Sequence, residues 1–148
     1  MKNKLTILLT LWDRTQFTYR WMKYANLIGF PFKIIIADGG KDKKIESHLI
    51  NKNNYPSLDY KYVRYPFDES YLHYYEKIKS SLEFVETPFV VMADNDDFFV
   101  LEALIKSVEF LMNNKDYSSC GGKHFKIMIR SSSSDRYFLY GDKISFAD

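Results

Sequence analysis

Several features that would assign a class at once are scarce or missing. Cys120 is the only cysteine in the 148 residues, so no internal disulfide can form, and a reducing, cytoplasmic setting is the default expectation. No apolar run approaches the length of a bilayer span. The nearest candidate, Leu5 to Trp12, runs directly into Asp13 and Arg14 with no small-residue cleavage site, which argues against a signal peptide and for a buried first strand. No block of one charge exists: the net charge is +2 and lysines are interspersed with acids, so nucleic acid is not an expected partner. The chain contains neither GxGxxG nor GxxxxGK, which removes the dinucleotide fingerprint and the P-loop. His48, His73 and His124 lack the spacing of a zinc site, and Cys120, before Gly121-Gly122, reads as a small core residue.

What is present describes one packed domain. Hydrophobic residues make up 46% and aromatics 18%, enough for an ordinary core without a disulfide or structural metal. Strand and helix patterns alternate. Lys4 to Leu11 and Lys33 to Ala37 are apolar, β-branched runs of the kind buried on both faces of a parallel sheet. Between them a helix is expected from Gln16 to Ile28, with Phe17, Trp21, Tyr24, Ala25 and Ile28 inward, Asp13 or Thr15 as cap, and Gly29 and Pro31 as terminators. A short helix over Lys43 to Ile50, a loop over Asn51 to Pro56 and a strand over Asp59 to Arg64 follow. A helix over Ser70 to Val85 comes next, with Leu72, Tyr75, Ile78 and Leu82 inward. Phe89 to Ala93 reads as a fourth buried strand, and Val100 to Asn113 as an amphipathic helix. Two strands, Lys123 to Arg130 and Arg136 to Tyr140, flank a serine run. This alternation predicts an α/β fold: a mostly parallel sheet with helices on both faces.

Ligands of such open sheets sit at the carboxyl ends of the strands. Three polar clusters fall there: Trp12-Asp13-Arg14, Asp38-Gly39-Gly40, and Asp94-Asn95-Asp96-Asp97. The last carries three carboxylates in four residues. They repel one another and favour a cation or solvent, and their oxygens suit Mg²⁺ or Mn²⁺. The competing interpretation is a turn whose Asp97 caps the next helix. Asp38 could accept hydrogen bonds from a base or ribose where glycines allow close approach, or could simply belong to a turn. Lys77 or Lys79 could reach a diphosphate, against the alternative of a lysine on a solvated face. Tyr71, Tyr74 and Tyr75 read as packing, and Trp12 as core or as a base-stacking ring.

Lys4 to Asp42 (KLTILLTLWDRTQFTYRWMKYANLIGFPFKIIIADGGKD) resembles the opening of family 2 glycosyltransferases of the GT-A fold, and Phe89 to Phe99 (FVVMADNDDFF) resembles their DxD strand and turn. The resemblance covers nearly all of Lys4 to Asn113. It implies a nucleotide-diphospho-sugar transferase fold, with residues 1–99 as the donor-binding half and 100–148 as the start of an acceptor-side half. It also implies a nucleotide-sugar donor, a UDP-sugar first among them, bound through Mn²⁺ or Mg²⁺. The acceptor would be a saccharide or glycolipid, handled in the cytoplasm or at the inner face of the membrane. Carried over by position, Asp38 contacts the base or ribose, Asp94 faces the ribose and diphosphate, Asp96 holds the metal, and Asp97 is a further acid. Thr10 and Asp13 line the base pocket, Lys77 falls near a basic residue of the helix before the DxD strand, and Asn95 lies inside the motif.

Two departures qualify this. Ala37 replaces the first of the usual pair of acids at the second strand. No residue is identifiable as the general base, which in the family lies well beyond the DxD; Asp135, Asp142 and Asp148 are available, but their context selects none of them. The chain is then expected to be a fragment of a longer enzyme or a reduced domain that needs a partner. Two other readings remain: a metal-dependent phosphatase of haloacid-dehalogenase type, whose DxD normally lies near the N-terminus and is not followed by a residue like Phe98, and a nucleotide-binding domain without turnover.

Overall fold

A computed structural model describes residues 3–123, together with the strands at 127–131 and 136–140. The chain divides into two compact units, Met1–Val108 and Glu109–Asp148. The first contains a four-stranded parallel sheet built from β1 (Leu5–Leu11), β2 (Lys33–Asp38), β3 (Asp59–Arg64) and β4 (Phe89–Asp94), in the order β3-β2-β1-β4. Helices α1 (Thr15–Ile28), α2 (Lys44–Ile50), α3 (Tyr71–Leu82) and α4 (Leu101–Asn113) alternate with the strands, and a single 3-10 turn occupies Lys52–Asn54. In the second unit, β5 (Ile127–Ser131) and β6 (Arg136–Tyr140) pair antiparallel.

The strand order fixes the layers. The chain steps from β1 to β2 to β3 in one direction, then returns past β1 to β4. Right-handed crossovers therefore put α1 and α2 over one face and α3 over the other. Side chains agree with this. Ile78 of α3 packs on Leu8, Ile35 and Ala37, whose register places them on a common face. Tyr60 points to the opposite face and donates its hydroxyl to the Leu49 carbonyl of α2 at 2.8 Å. β1 is buried along its whole length, as its continuous apolar sequence requires.

Gly29 ends α1 in the left-handed conformation (φ 63°). Its N–H reaches the Asn26 carbonyl and the Phe30 N–H reaches Ala25, the paired bonds of a Schellman cap. The turn leads Phe30 into the edge of Trp21 and beside Tyr24 and Phe32, with ring centroids 6.0 Å apart in each pair.

Four expectations are corrected. α1 has no side-chain cap; Arg14 occupies the cap position in the left-handed region. β4 is an edge strand with Val90 and Met92 exposed, rather than a fully buried one. On α3, Leu72, Tyr75 and Leu82 face solvent together with Tyr71, and the buried positions are Lys77 and Ser81. A buried lysine needs a partner, and that partner is supplied at the sheet end described below. Cys120 is exposed, not core. His124 and the carboxylates Asp135, Asp142 and Asp148 lie outside the described residues.

Trp21 is fully buried among aromatic neighbours. Trp21→Ala is expected to cost ~3–5 kcal/mol of unfolding free energy in a urea titration; a loss below ~1 kcal/mol would contradict this packing.

Candidate functional site

The strand order reverses between β1 and β4, so the carboxyl ends of these two strands form a switch point, where open α/β sheets take their ligands. Thr10 and Asp94 are register partners across it. The buried Thr10 hydroxyl lies 2.8 Å from Asp94 Oδ1 and orients that carboxylate while leaving it exposed.

The turn after β1 is held from two sides. Asp13 and Arg14 both adopt left-handed backbone angles (φ 57° and 54°), unusual for residues with a Cβ. Asn95 is buried, and its amide donates to the Asp13 carbonyl (3.2 Å), the Arg14 carbonyl (3.5 Å) and the Thr18 hydroxyl (3.0 Å). The Asp13 carboxylate accepts the N–H groups of Lys41 (2.6 Å) and Asp42 (3.1 Å), joining this turn to the one after β2. Gly40 makes the approach possible, because a Cβ there would lie 2.6 Å from the Asp13 nitrogen. Asp42, in turn, is held below the usual carboxylate range by the Thr15 hydroxyl and the Lys44 N–H.

Asp38 is 1% exposed, and donors surround it. Oδ1 accepts the Gly40 N–H at 2.8 Å; Oδ2 accepts the Tyr62 hydroxyl and Arg64 Nη1, each at 2.6 Å. Burial first, and then the Asp38 bond, push the Tyr62 phenol far above its ordinary range, so it remains a donor. Arg64 also reaches the carbonyls of Gly40 and Asp42.

Lys77 is 2% exposed. Its Nζ donates to the Leu11 carbonyl at 3.0 Å and pairs with Asp68, which is itself buried. The Asp68 N–H donates to Gly39 at 2.9 Å, and a Cβ on Gly39 would collide with the Asp68 carboxylate. One buried ion pair thus joins α3 to the ends of β1 and β2.

The acidic turn projects outward. Asp94, Asp96 and Asp97 are exposed, with the Asp97 N–H closing a turn onto the Asp94 carbonyl at 3.2 Å. Since α4 starts at Leu101, Asp97 is not its cap. Asp96 Oδ2 accepts Arg14 Nη1 at 2.6 Å. Among the described residues, no three His, Cys, Asp or Glu side chains converge on one point. Two concavities among the described residues lie elsewhere, one lined by Phe30, Pro31, Pro56 and Leu58, the other by Thr6, Lys33, Tyr60 and Phe84.

The structure therefore gathers Thr10, Asp13, Asp38, Lys77 and the Asp94–Asp97 turn at one end of the sheet. It uses Asn95, Asp38 and Lys77 internally, to brace the loops. Sequence reasoning missed Tyr62, Arg64 and Asp68, and placed Arg14 in the polar cluster after β1 without giving it a role. The alternation of β3 could have revealed Tyr62 and Arg64, which share the face of Asp38; for Asp68, nothing in its polar loop sets it apart. Trp12, 58% exposed, is a free ring at the same strand end and not core.

No protein-family model and no curated protein matches the chain. Solved structures do. Two structures of S. aureus TarS residues 1–349, one of them in complex with UDP-GlcNAc, superpose on 74% of this chain with a TM-score of 0.53, at 14% and 15% identity. The chain spans about a third of their length, 32% and 31%. At such identity the likeness is one of fold alone: this α/β sheet with its helices shares the fold of TarS. No described helix is long and apolar enough to cross a membrane.

Removing Lys77 would leave Asp68 buried and unpaired. Lys77→Met is expected to destabilise the protein by ~3–5 kcal/mol, and combining it with Asp68→Leu to recover most of that loss. Equal urea midpoints for wild type and Lys77→Met would contradict the buried pair.

Proposed function

We propose that this chain binds a nucleotide-diphosphate sugar, a UDP-sugar first among them, and transfers the sugar to an acceptor. The observation that carries the reading is the Asp94–Asp96 turn at the β1/β4 switch point, tied to β1 by Thr10 and Asn95. The TarS fold supports it, since one of the matching TarS structures is a complex with UDP-GlcNAc. In this reading residues 1–99 form the donor-binding half and the remainder begins the acceptor side, with a saccharide or glycolipid as acceptor.

Each side chain then has a task. Thr10 holds Asp94 toward the ribose and diphosphate. Asp13 fixes the backbone of both strand-end turns that line the base pocket. Asp38, buried beneath them, fixes the half-buried Tyr62 and Arg64 as a polar floor for the base. Lys77, its charge matched by Asp68, positions the end of β1 through the Leu11 carbonyl rather than by contact with the donor. Asp96, with Asp94 and Asp97 beside it, offers hard oxygen ligands on an exposed turn. That donor set fits Mg²⁺ or Mn²⁺, which take one or two carboxylates and fill the rest of the shell from water and phosphate. Such an ion would supply charge neutralisation on the leaving diphosphate.

Asp96→Ala is expected to keep the fold, because the residue is exposed, and to lower Mn²⁺-dependent UDP affinity by at least about tenfold in calorimetry. Normal binding by this variant would remove the assignment. Incubation with nucleotide sugars separates turnover, read as released nucleotide, from binding alone, and hydrolysis of a generic phosphate ester would point instead to a phosphatase.

A further inference from the structure

The carboxylate assigned above to the metal already has a cation on it. Arg14 Nη1 lies 2.6 Å from Asp96 Oδ2. The contact is aimed by the backbone. Arg14 leaves a left-handed turn that the Asn95 amide pins through its carbonyl, and the preceding Asp13 is fixed by two N–H groups from the β2 turn. The guanidinium therefore projects toward the acidic turn by construction. The pair itself is weakly held: the side chains are 57% and 39% exposed, so water screens the attraction.

A carboxylate oxygen that coordinates a divalent ion cannot also serve a guanidinium at full strength. Displaced from Asp96, Arg14 would remain beside the turn with its donors unused. A guanidinium is suited to phosphate oxygens, which it can engage through two parallel N–H bonds. We propose that Arg14 is an exchangeable counter-ion, which occupies Asp96 in the free protein and turns onto the diphosphate of the nucleotide once a divalent cation takes that carboxylate. This rests on the donor-site reading above and adds a donor-binding residue to it. Arg14 thereby offsets one of the three carboxylate charges of the empty turn and reports its occupancy by changing partners.

The test is calorimetry on the full chain with two titrants: Mn²⁺ alone, and UDP at saturating Mn²⁺. Relative to wild type, Arg14→Ala is expected to bind Mn²⁺ alone about two- to fivefold more tightly, because Asp96 is freed. It should bind UDP with Mn²⁺ about ten- to a hundredfold more weakly, because a charge-assisted bond to phosphate is lost. Arg14→Gly, which accepts the left-handed backbone without strain, should show the same opposed shifts with an intact circular dichroism spectrum. Unchanged UDP affinity in both variants, or weaker Mn²⁺ binding in both, overturns the role of Arg14 alone. A wild-type protein that binds no UDP at any Mn²⁺ concentration overturns the donor-site reading and this proposal with it.

Discussion

A carboxylate held by donors also fixes the segments that carry those donors, and at the carboxyl end of this sheet four carboxylates are held in this way. Thr10 serves Asp94; the Lys41 and Asp42 N–H groups serve Asp13; Gly40, Tyr62 and Arg64 serve Asp38; Lys77 serves Asp68. In every case but that of Asp38 with Gly40, the donor and acceptor come from different elements or different turns. Satisfying the charge and fixing the loops are therefore the same event. The two glycines after β2 follow from this, since a Cβ on either would strike the carboxylate that passes it.

This network separates the acids into two kinds. Asp38 and Asp68 are committed inside the protein, whereas Asp94, Asp96 and Asp97 remain open to solvent. A site built this way keeps its rigid charges as scaffold and offers only its exposed ones to a ligand. The fold likeness to TarS spans 74% of the chain, and the residues proposed for the donor site all lie within Met1–Val108.

Much of the fold could be read from residue pattern alone. β3 falls on Asp59–Arg64 as its alternation indicates, Gly29 stops α1, and the apolar runs of β1 and β2 are buried as their lack of alternation requires. The positions of Asp38 and the acidic turn at strand ends were equally legible. Each failure has its own physical cause. Periodicity assumes that apolar side chains mark the inner face, but α3 buries Lys77 and Ser81, because an ion pair and a hydroxyl bond to Tyr65 replace apolar contact there. β4 looks like a central strand in composition, yet only the strand order puts it at the edge of this sheet. Arg14 was invisible as a partner of Asp96 because 82 residues separate them, and only the parallel pairing of β1 with β4 brings their turns together.

The role proposed for this end of the sheet depends on where a nucleotide sits. The most direct measurement is a crystal structure of the protein soaked with UDP and Mn²⁺. The expected result is a nucleotide across the carboxyl ends of β1, β2 and β4, with metal density bridging Asp96 and the diphosphate. A nucleotide bound in the concavity lined by Phe30, Pro31 and Leu58, or metal density away from Asp94 to Asp97, would contradict it.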